Sequence, residues 1–327
     1  MQIVAADIGG THARFALAEL RPGARPRVGE MRKYRTREYA GLGEAWARFG
    51  RDSGGLLPRA AALAVAAPIE GDTLTFMNSD WRIDRRGLAD ALGLDQIILL
   101  NDFGAVAHAV SVMGAADLVP LCGPGDLPAR GVTSVIGPGT GLGVSLLDRR
   151  EGQAAVIETE AAHIGFCPLD PEEEALADAL VERYGRASVE RVVSGPGLTD
   201  IYRFLGGDDW DPAKAGALWD SAIEGADPLA AKALAILVRC FGAAAGDIAL
   251  AHGAMGVAIT GGLANRIADL LKGPAFAARF TAKGRYRERM LRTPVRLLTY
   301  PEPGLLGAAI AFEREYLDPP RDGGDRA

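Results

Sequence analysis

The sequence predicts an α/β protein of roughly two domains, on three observations. Strand-like and helix-like segments alternate through the first third of the chain, three apolar strands each run straight into a glycine turn, and the later helices start on polar caps. With 327 residues, 48% of them hydrophobic, the chain has ample apolar surface for cores of that size.

Taken in order, Ile3–Ala6 reads as a strand that enters Asp7-Ile8-Gly9-Gly10-Thr11 and returns through Phe15–Ala18. A helical Glu38–Gly50 follows, then the apolar run Ala61–Ala67 ended by Pro68. Asp72–Met77 continues as a strand after the Glu70-Gly71-Asp72 turn. Asp84–Leu92 looks helical with Gly93 as its stop, and Gln96–Leu100 is a wholly apolar strand. Beyond the Pro/Gly-rich Cys122–Gly131, the expected connection between halves, Val132–Ile136 runs into Gly137–Gly143 before a further strand, Val144–Leu147. Asp170-Pro171-Glu172 opens a helix with a cap, a proline and first-turn acids, and Gly185 closes it. Asp227-Pro228 opens a long Ala/Leu-rich helix running toward Gly253. Apolar on more than one face, it is expected to be buried in the monomer, the alternative being an oligomer contact such as a homodimer. The third glycine turn, Thr260-Gly261-Gly262-Leu263, links strand Val257–Ile259 to a helical Ala264–Lys272, and the charged tail 319–327 is expected to be flexible. A strand followed by a glycine turn near residue 7 recurs near residue 137, which hints at two related domains facing one cleft.

Composition excludes several classes. A net charge of −6 and a pI near 5.4 argue against nucleic acid or an anionic membrane as the main partner. Cys122, Cys167 and Cys240 are isolated, so neither a disulfide framework nor a C-x-x-C metal site is written here; reduced thiols and a cytoplasmic location are expected. No apolar stretch of membrane-spanning length and no signal peptide are expected, since Asp7 stands where the apolar core of a signal peptide would be needed.

The glycine turns suit phosphate. Glycines let backbone N–H groups approach an anion, Thr11 adds a hydroxyl, and Asp7 can face the magnesium that accompanies a nucleotide. The same string also fits a plain hairpin with Gly9-Gly10 at its tip. The Gly137–Gly143 turn lacks the ending of a P-loop and opens no helix, which disfavours a dinucleotide fingerprint. Asn101-Asp102-Phe103 ends an apolar strand in an amide and a carboxylate. Asp102 is placed either to take a proton from a substrate hydroxyl, with Asn101 holding a neighbouring one, or to cap the helix Phe103–Val112. Glu158-Thr159-Glu160-Ala161-Ala162-His163 and Glu190, the latter just before Ser194-Gly195-Pro196-Gly197, offer the acceptors and donor that a polyol needs. Solvated surface residues would look the same.

The ordered set of motifs resembles the bacterial ATP-dependent glucokinases of the sugar kinase/heat-shock ATPase/actin superfamily. The residues carrying the resemblance are Asp7-Ile8-Gly9-Gly10-Thr11-His12-Ala13-Arg14, Asn78 with Trp81, Asn101-Asp102-Phe103, Gly137–Gly143, Glu160 with His163, Glu190–Gly197, Gly261-Gly262 and Pro303-Gly304-Leu305-Leu306-Gly307, covering nearly all of the chain but its tail. The resemblance implies two actin-like (ribonuclease H-like) α/β domains, each a mixed sheet flanked by helices, around an interdomain cleft. The small domain would be residues 1–112 plus about 304–318 and the large one 113–303. It implies Asp102 as the base for the sugar 6-hydroxyl, with Asn78, Asn101, Thr140, Gly141, Glu160, His163 and Glu190 holding glucose. It places Asp7, Gly9, Gly10 and Thr11 in the first phosphate loop, Gly139, Thr140 and Gly141 in the second, and Gly261 and Gly262 on the adenosine side, with Mg²⁺ on Asp7 through water. Ala161-Ala162, Pro138 and His12 depart from the family's usual glycines, small residue and asparagine. The cysteine-rich zinc motif of the related repressor/kinase group is missing around His163, where Cys167 stands alone, so no zinc is expected. The expected ligands are glucose, ATP and Mg²⁺. The alternatives are a kinase for another hexose or amino sugar, and a non-catalytic sugar sensor. The sensor is disfavoured by Asp102 and by the lack of a helix-turn-helix before Met1.

Overall fold

The structure, a computed structural model, describes residues 1–67, 69–76, 79–150, 153–207 and 215–318. The chain forms two compact units, Met1–Met113 with the segment from Tyr300 onward, and Gly114–Thr299. The expected flexible tail lies outside the described residues.

In the first unit, β1 (Gln2–Ile8), β2 (His12–Arg21), β3 (Ala24–Val28) and β4 (Arg32–Arg35) precede α1 (Leu42–Asp52). Then come β5 (Ala60–Val65), the hairpin β6 (Thr73–Phe76) and β7 (Ser79–Asp84), α2 (Leu88–Leu92), β8 (Gln96–Asn101) and α3 (Asp102–Val110). The sheet order is β3-β2-β1-β5-β8 with β4 on β2; β1 pairs antiparallel with β2 and parallel with β5, which pairs parallel with β8. Alternation along buried strands sets two unlike faces. Val4, Ala6, Ile8, Leu63 and Val65 meet the aromatics Phe15, Trp46 and Phe49, while Ile3, Ala5, Ala62 and Ala64 leave a shallow face.

Two helices start later than the sequence suggests. Thr36–Glu38 is a separate turn of 3-10 helix with Thr36 buried, so α1 begins only at Leu42; Asp84 is held in β7 opposite Thr73, which delays α2 to Leu88.

The second unit repeats the plan with β9 (Leu118–Cys122), β10 (Gly131–Pro138), β11 (Leu142–Arg150), β12 (Gln153–Thr159), β13 (Gly256–Ile259) and β14 (Val295–Leu298), ordered β12-β11-β10-β13-β14-β9. Apart from the added β9, this is the first sheet's sequence of two antiparallel and two parallel pairings. Its helices are α4 (Pro171–Tyr184), α5 (Val189–Val192), α6 (Gly195–Phe204), α7 (Ala215–Glu224), α8 (Pro228–Ala251), α9 (Gly262–Arg266), α10 (Ala268–Leu271), α11 (Pro274–Thr281) and α12 (Arg287–Arg292). Asp170 and Asp227 cap α4 and α8 through their side chains, and Gly185 ends α4 in the left-handed region.

Cys122–Gly131 does not join the two units. It connects β9 to β10 within one sheet, and the boundary falls after Met113. Contrary to the expectation of no membrane-length segment, α8 is long and apolar enough to cross a membrane, because Lys232, Arg239 and Asp247 are too few to break its mean hydropathy; 78% of its most apolar window is buried inside the protein, as in a core helix.

The last helix, α13 (Pro303–Tyr316), returns to the first unit and fills the shallow face: Leu305, Ala308, Ala309 and Phe312 pack with Ala5, Ala62 and Ala64. Small residues let the backbones approach closely. A Cβ on Gly307 would lie 1.6 Å from the Ala105 carbonyl oxygen of α3, so Gly307→Ala must push the two helices apart. We expect a loss of about 1–3 kcal/mol, read from the urea midpoint; an unchanged midpoint would show that the contact is slack.

Candidate functional site

The first glycine turn is both a hairpin and a built loop. β1 and β2 pair up to Ile8 opposite Ala13, and Gly9 N–H donates to the His12 carbonyl at 2.9 Å. Buried Thr36 clamps the turn from outside: its N–H donates to the Thr11 carbonyl at 3.1 Å and its hydroxyl to the Gly10 carbonyl at 2.6 Å. Asp7, one residue before the turn proper, sits opposite Arg14, whose Nη1 is 3.3 Å from Asp7 Oδ2; Arg14 Nε lies 3.1 Å from Glu302 Oε2, off the line of a good hydrogen bond. Burial raises the Asp7 carboxyl above its ordinary range, and the nearby Arg14 charge only partly counters it. The start of α13 presses on the same carboxylate, since a Cβ on Gly304 would come 3.2 Å from Asp7 Cγ.

Ile8, Val65 and Asn101 stand in register at the carboxyl ends of three parallel strands, so Asp102 and the Gly9–Thr11 turn share one edge of one sheet. That edge is where open α/β sheets bind ligands. The helix cap is Asn101, whose Oδ1 accepts from Phe103 N–H at 2.9 Å and Gly104 N–H at 3.3 Å. Asp102 begins the helix, and its Oδ1 also accepts from Phe103 N–H at 2.9 Å. Asn78 lies outside the described residues.

The second unit gathers its own set. Between β10 and β11, Gly139 N–H donates to the Gly141 carbonyl at 2.7 Å, and the Gly139 carbonyl accepts from Gly195 N–H at 2.7 Å. Glu190 Oε2 accepts from Leu142 N–H at 3.0 Å and fills the space where a Cβ on Gly141 would sit, 2.4 Å away, so this carboxylate is seated against the Thr140-Gly141 turn. Glu160 and His163 reach the same end of the sheet because Thr159 pairs with Val144, and because the Ile164 carbonyl accepts from Val189 N–H, next to Glu190, at 3.0 Å. Glu160 Oε2 is 3.7 Å from His163 Nε2, and both side chains are more than half exposed. Gly261, with φ 97°, lies where a Cβ would be 2.9 Å from the Pro138 carbonyl oxygen, and Gly262 opens α9 beside that turn. Each unit thus brings its own predicted residues together at one sheet edge.

A family model described as Glucokinase matches residues 4–315. The chain belongs to the glucokinase family. It is 48% identical over 322 residues to the glucokinase of Zymomonas mobilis, a match covering 97% of this chain and 99% of that one, and 39% identical over 326 residues to a glucokinase of Stenotrophomonas maltophilia, covering 97% of each. Among solved structures, a glucokinase from an Antarctic psychrotroph superposes with a TM-score of 0.82 at 29% identity, covering 95% of this chain and 98% of that one. A glucokinase from Balamuthia mandrillaris in complex with glucose shares the fold, with a TM-score of 0.77 at 23% identity over 96% of this chain and 93% of that one. The two units are those of the actin-like glucokinase fold.

Sequence reasoning assigned no role to Arg14, Thr36 or Glu302, which brace the first glucokinase-family turn. Glu302 carries no sequence signal of this contact; only its backbone is unusual. It precedes Pro303, yet it takes the left-handed backbone (φ 49°) that an ordinary residue adopts only under constraint.

Proposed function

We propose that this chain is an ATP-dependent glucokinase, transferring the γ-phosphate of ATP to the 6-hydroxyl of glucose to give glucose 6-phosphate and ADP. The observation that carries the reading is Asp102 at the carboxyl end of a parallel strand, on the same sheet edge as the Asp7–Thr11 turn. Phosphoryl transfer requires positioning, charge neutralisation and one acceptor for the hydroxyl proton. Asp102 is that acceptor. The Asn101 side-chain carbonyl serves the cap, and its amide Nδ2, 3.5 Å from the Ala67 carbonyl, holds a neighbouring sugar hydroxyl. Glu160, His163 and Glu190 hold the other hydroxyls with Asn78, and the Thr140-Gly141 turn limits where the ring can lie. Gly9, Gly10 and Thr11 present backbone and hydroxyl donors to the phosphates, Gly139 and Thr140 supply a second such loop, and Gly261-Gly262 lets the adenosine side approach the backbone.

The residues present fit magnesium carried in on the nucleotide. Asp7 offers a carboxylate and Thr11 a hydroxyl, and among the described residues no group of three or more His, Cys, Asp or Glu side chains could cage an ion. An ion held by one protein carboxylate through water and otherwise by phosphates is how Mg²⁺ usually binds in kinases, where it neutralises charge on the phosphates.

The direct test is ADP release by the purified protein with Mg-ATP, with and without glucose, and across fructose, mannose, glucosamine and N-acetylmannosamine. Glucose is expected to give the highest kcat/KM; turnover with no sugar at all would defeat the reading. In the same assay Glu160→Gln is expected to raise the glucose KM by about tenfold with a smaller change in kcat, since a carboxylate hydrogen bond to a hydroxyl contributes roughly 1.5 kcal/mol. Unchanged KM and kcat would take Glu160 off the sugar.

A further inference from the structure

One residue of the first unit holds a backbone that its type avoids. Glu302 stands between Pro301 and Pro303 at φ 49° and ψ 55°, in the left-handed region, and every other described residue with a positive φ is a glycine. A residue with a Cβ is strained there, and the proline that follows steers it toward extended backbone instead. Such strain persists only where the surroundings impose it, and it collects at sites that use it. The helix start does not account for it. Glu302 is the N-cap of α13, yet its side chain accepts no capping hydrogen bond from that helix.

The carboxylate is turned to Arg14. Glu302 Oε2 lies 3.1 Å from Arg14 Nε, and Arg14 Nη1 lies 3.3 Å from Asp7 Oδ2, so one guanidinium stands between two carboxylates. Two residues beyond Glu302, Gly304 packs on the same aspartate, where a Cβ would come 3.3 Å from Oδ2. The docking of α13 thus brings a charge and a helix start to one place. An arginine left with a single carboxylate pairs with both of its oxygens through two parallel hydrogen bonds. Sharing prevents that closure. Arg14 reaches one oxygen of Asp7, at a long distance, and the two carboxylates outnumber the one guanidinium.

We propose that Glu302 is a positioning residue for the phosphotransfer, drawing Arg14 away from Asp7 and so leaving the Asp7 carboxylate to the hydrated magnesium of the nucleotide. The inference rests on the reading of Asp7 as the magnesium carboxylate. Glu302 itself touches neither sugar nor phosphate in it. With a neutral side chain at 302, Arg14 closes on Asp7 as a two-bond pair, and the carboxylate is spent on the arginine. The strained backbone is what the fold gives up to hold a negative charge at this point; a glycine there relieves the strain and loses the charge.

Glu302→Gln and Glu302→Gly separate charge from strain, since both remove the carboxylate and only glycine relieves the backbone. The intact protein and the two variants are titrated with Mn²⁺·ADP, followed by water-proton relaxation, and with metal-free ADP and with glucose by calorimetry. Both variants are expected to bind Mn²⁺·ADP about three- to tenfold more weakly, with metal-free ADP bound no more weakly and glucose unchanged. Glu302→Gly is expected to unfold at a higher urea midpoint than Glu302→Gln. Equal weakening of the metal-free nucleotide would show a displaced turn and overturns the inference, as does a glycine variant no more stable than the glutamine one. Variants that bind Mn²⁺·ADP as the wild type does overturn it too, and leave the magnesium reading standing. A wild type that binds Mn²⁺·ADP no better than metal-free ADP defeats that reading, and the inference with it.

Discussion

Asp102→Asn is expected to lower kcat by about 10² to 10⁴ while glucose binding stays close to wild type. The substitution keeps the volume and the acceptor that Phe103 N–H uses, so the helix start should survive, helped by the separate cap that Asn101 provides. What disappears is an atom basic enough to receive the proton as the sugar oxygen attacks phosphorus. Calorimetry for glucose and a coupled ADP assay separate the two effects. A variant with full turnover would remove the base assignment, and one that lost glucose affinity and turnover together would make Asp102 mainly a sugar ligand.

Glu173→Gln carries the largest expected effect on stability, although none of the proposed ligand contacts falls on Glu173. Glu173 is fully buried and accepts from Arg239 Nε at 3.1 Å, from Leu169 N–H at 2.9 Å, and from Arg279 Nη2 on both carboxylate oxygens. It ties α4 to α8 and α11. The amide keeps the shape but removes the charge, leaving two guanidiniums facing a neutral group, with Asp170 at 3.5 Å and 3.8 Å and Glu172 as remaining anions. Breaking a buried ion pair from one side costs about 3–5 kcal/mol, and the partial exposure of both arginines puts the expectation at the lower end. The urea midpoint should fall, while kcat per folded molecule stays unchanged. A shift under about 1 kcal/mol would mean that Asp170 and Glu172 hold the arginines by themselves.

How far these features could be read in advance depended on whether their cause was local. The caps at Asp170 and Asp227, the stop at Gly185 and the strand-to-glycine-turn pattern are short-range events, and they appear where a reading of neighbouring residues puts them. Glu173 reads as one more first-turn acid, because Arg239 and Arg279 are far away in sequence. Asp84 looked helical only until its pairing with Thr73 was known. Cys122–Gly131 has the composition of a linker, yet both its flanking strands belong to one sheet. In the candidate site the glycines, Asn101, Asp102, Glu160, His163 and Glu190 were visible as polar or flexible interruptions of apolar runs. The Thr36 clamp and the Arg14–Glu302 contact were not, since nothing near Thr36 or Glu302 signals a partner in the first turn.

The path of α13 bears on how the chain is made. A ribosome delivers the Asp7 turn and the start of α3 early, yet the helix that seats Gly304 against Asp7 and Gly307 against Ala105 is synthesised only after the whole of the Gly114–Thr299 unit. Until then the alanine-lined face of the first sheet has no cover, and the nascent amino-terminal segment must wait, exposed, while the later unit completes its own core. The part of the protein that emerges first is therefore finished last. A chain released early, before Pro303, would carry every residue of the proposed phosphate turn and base without the helix that holds them in place.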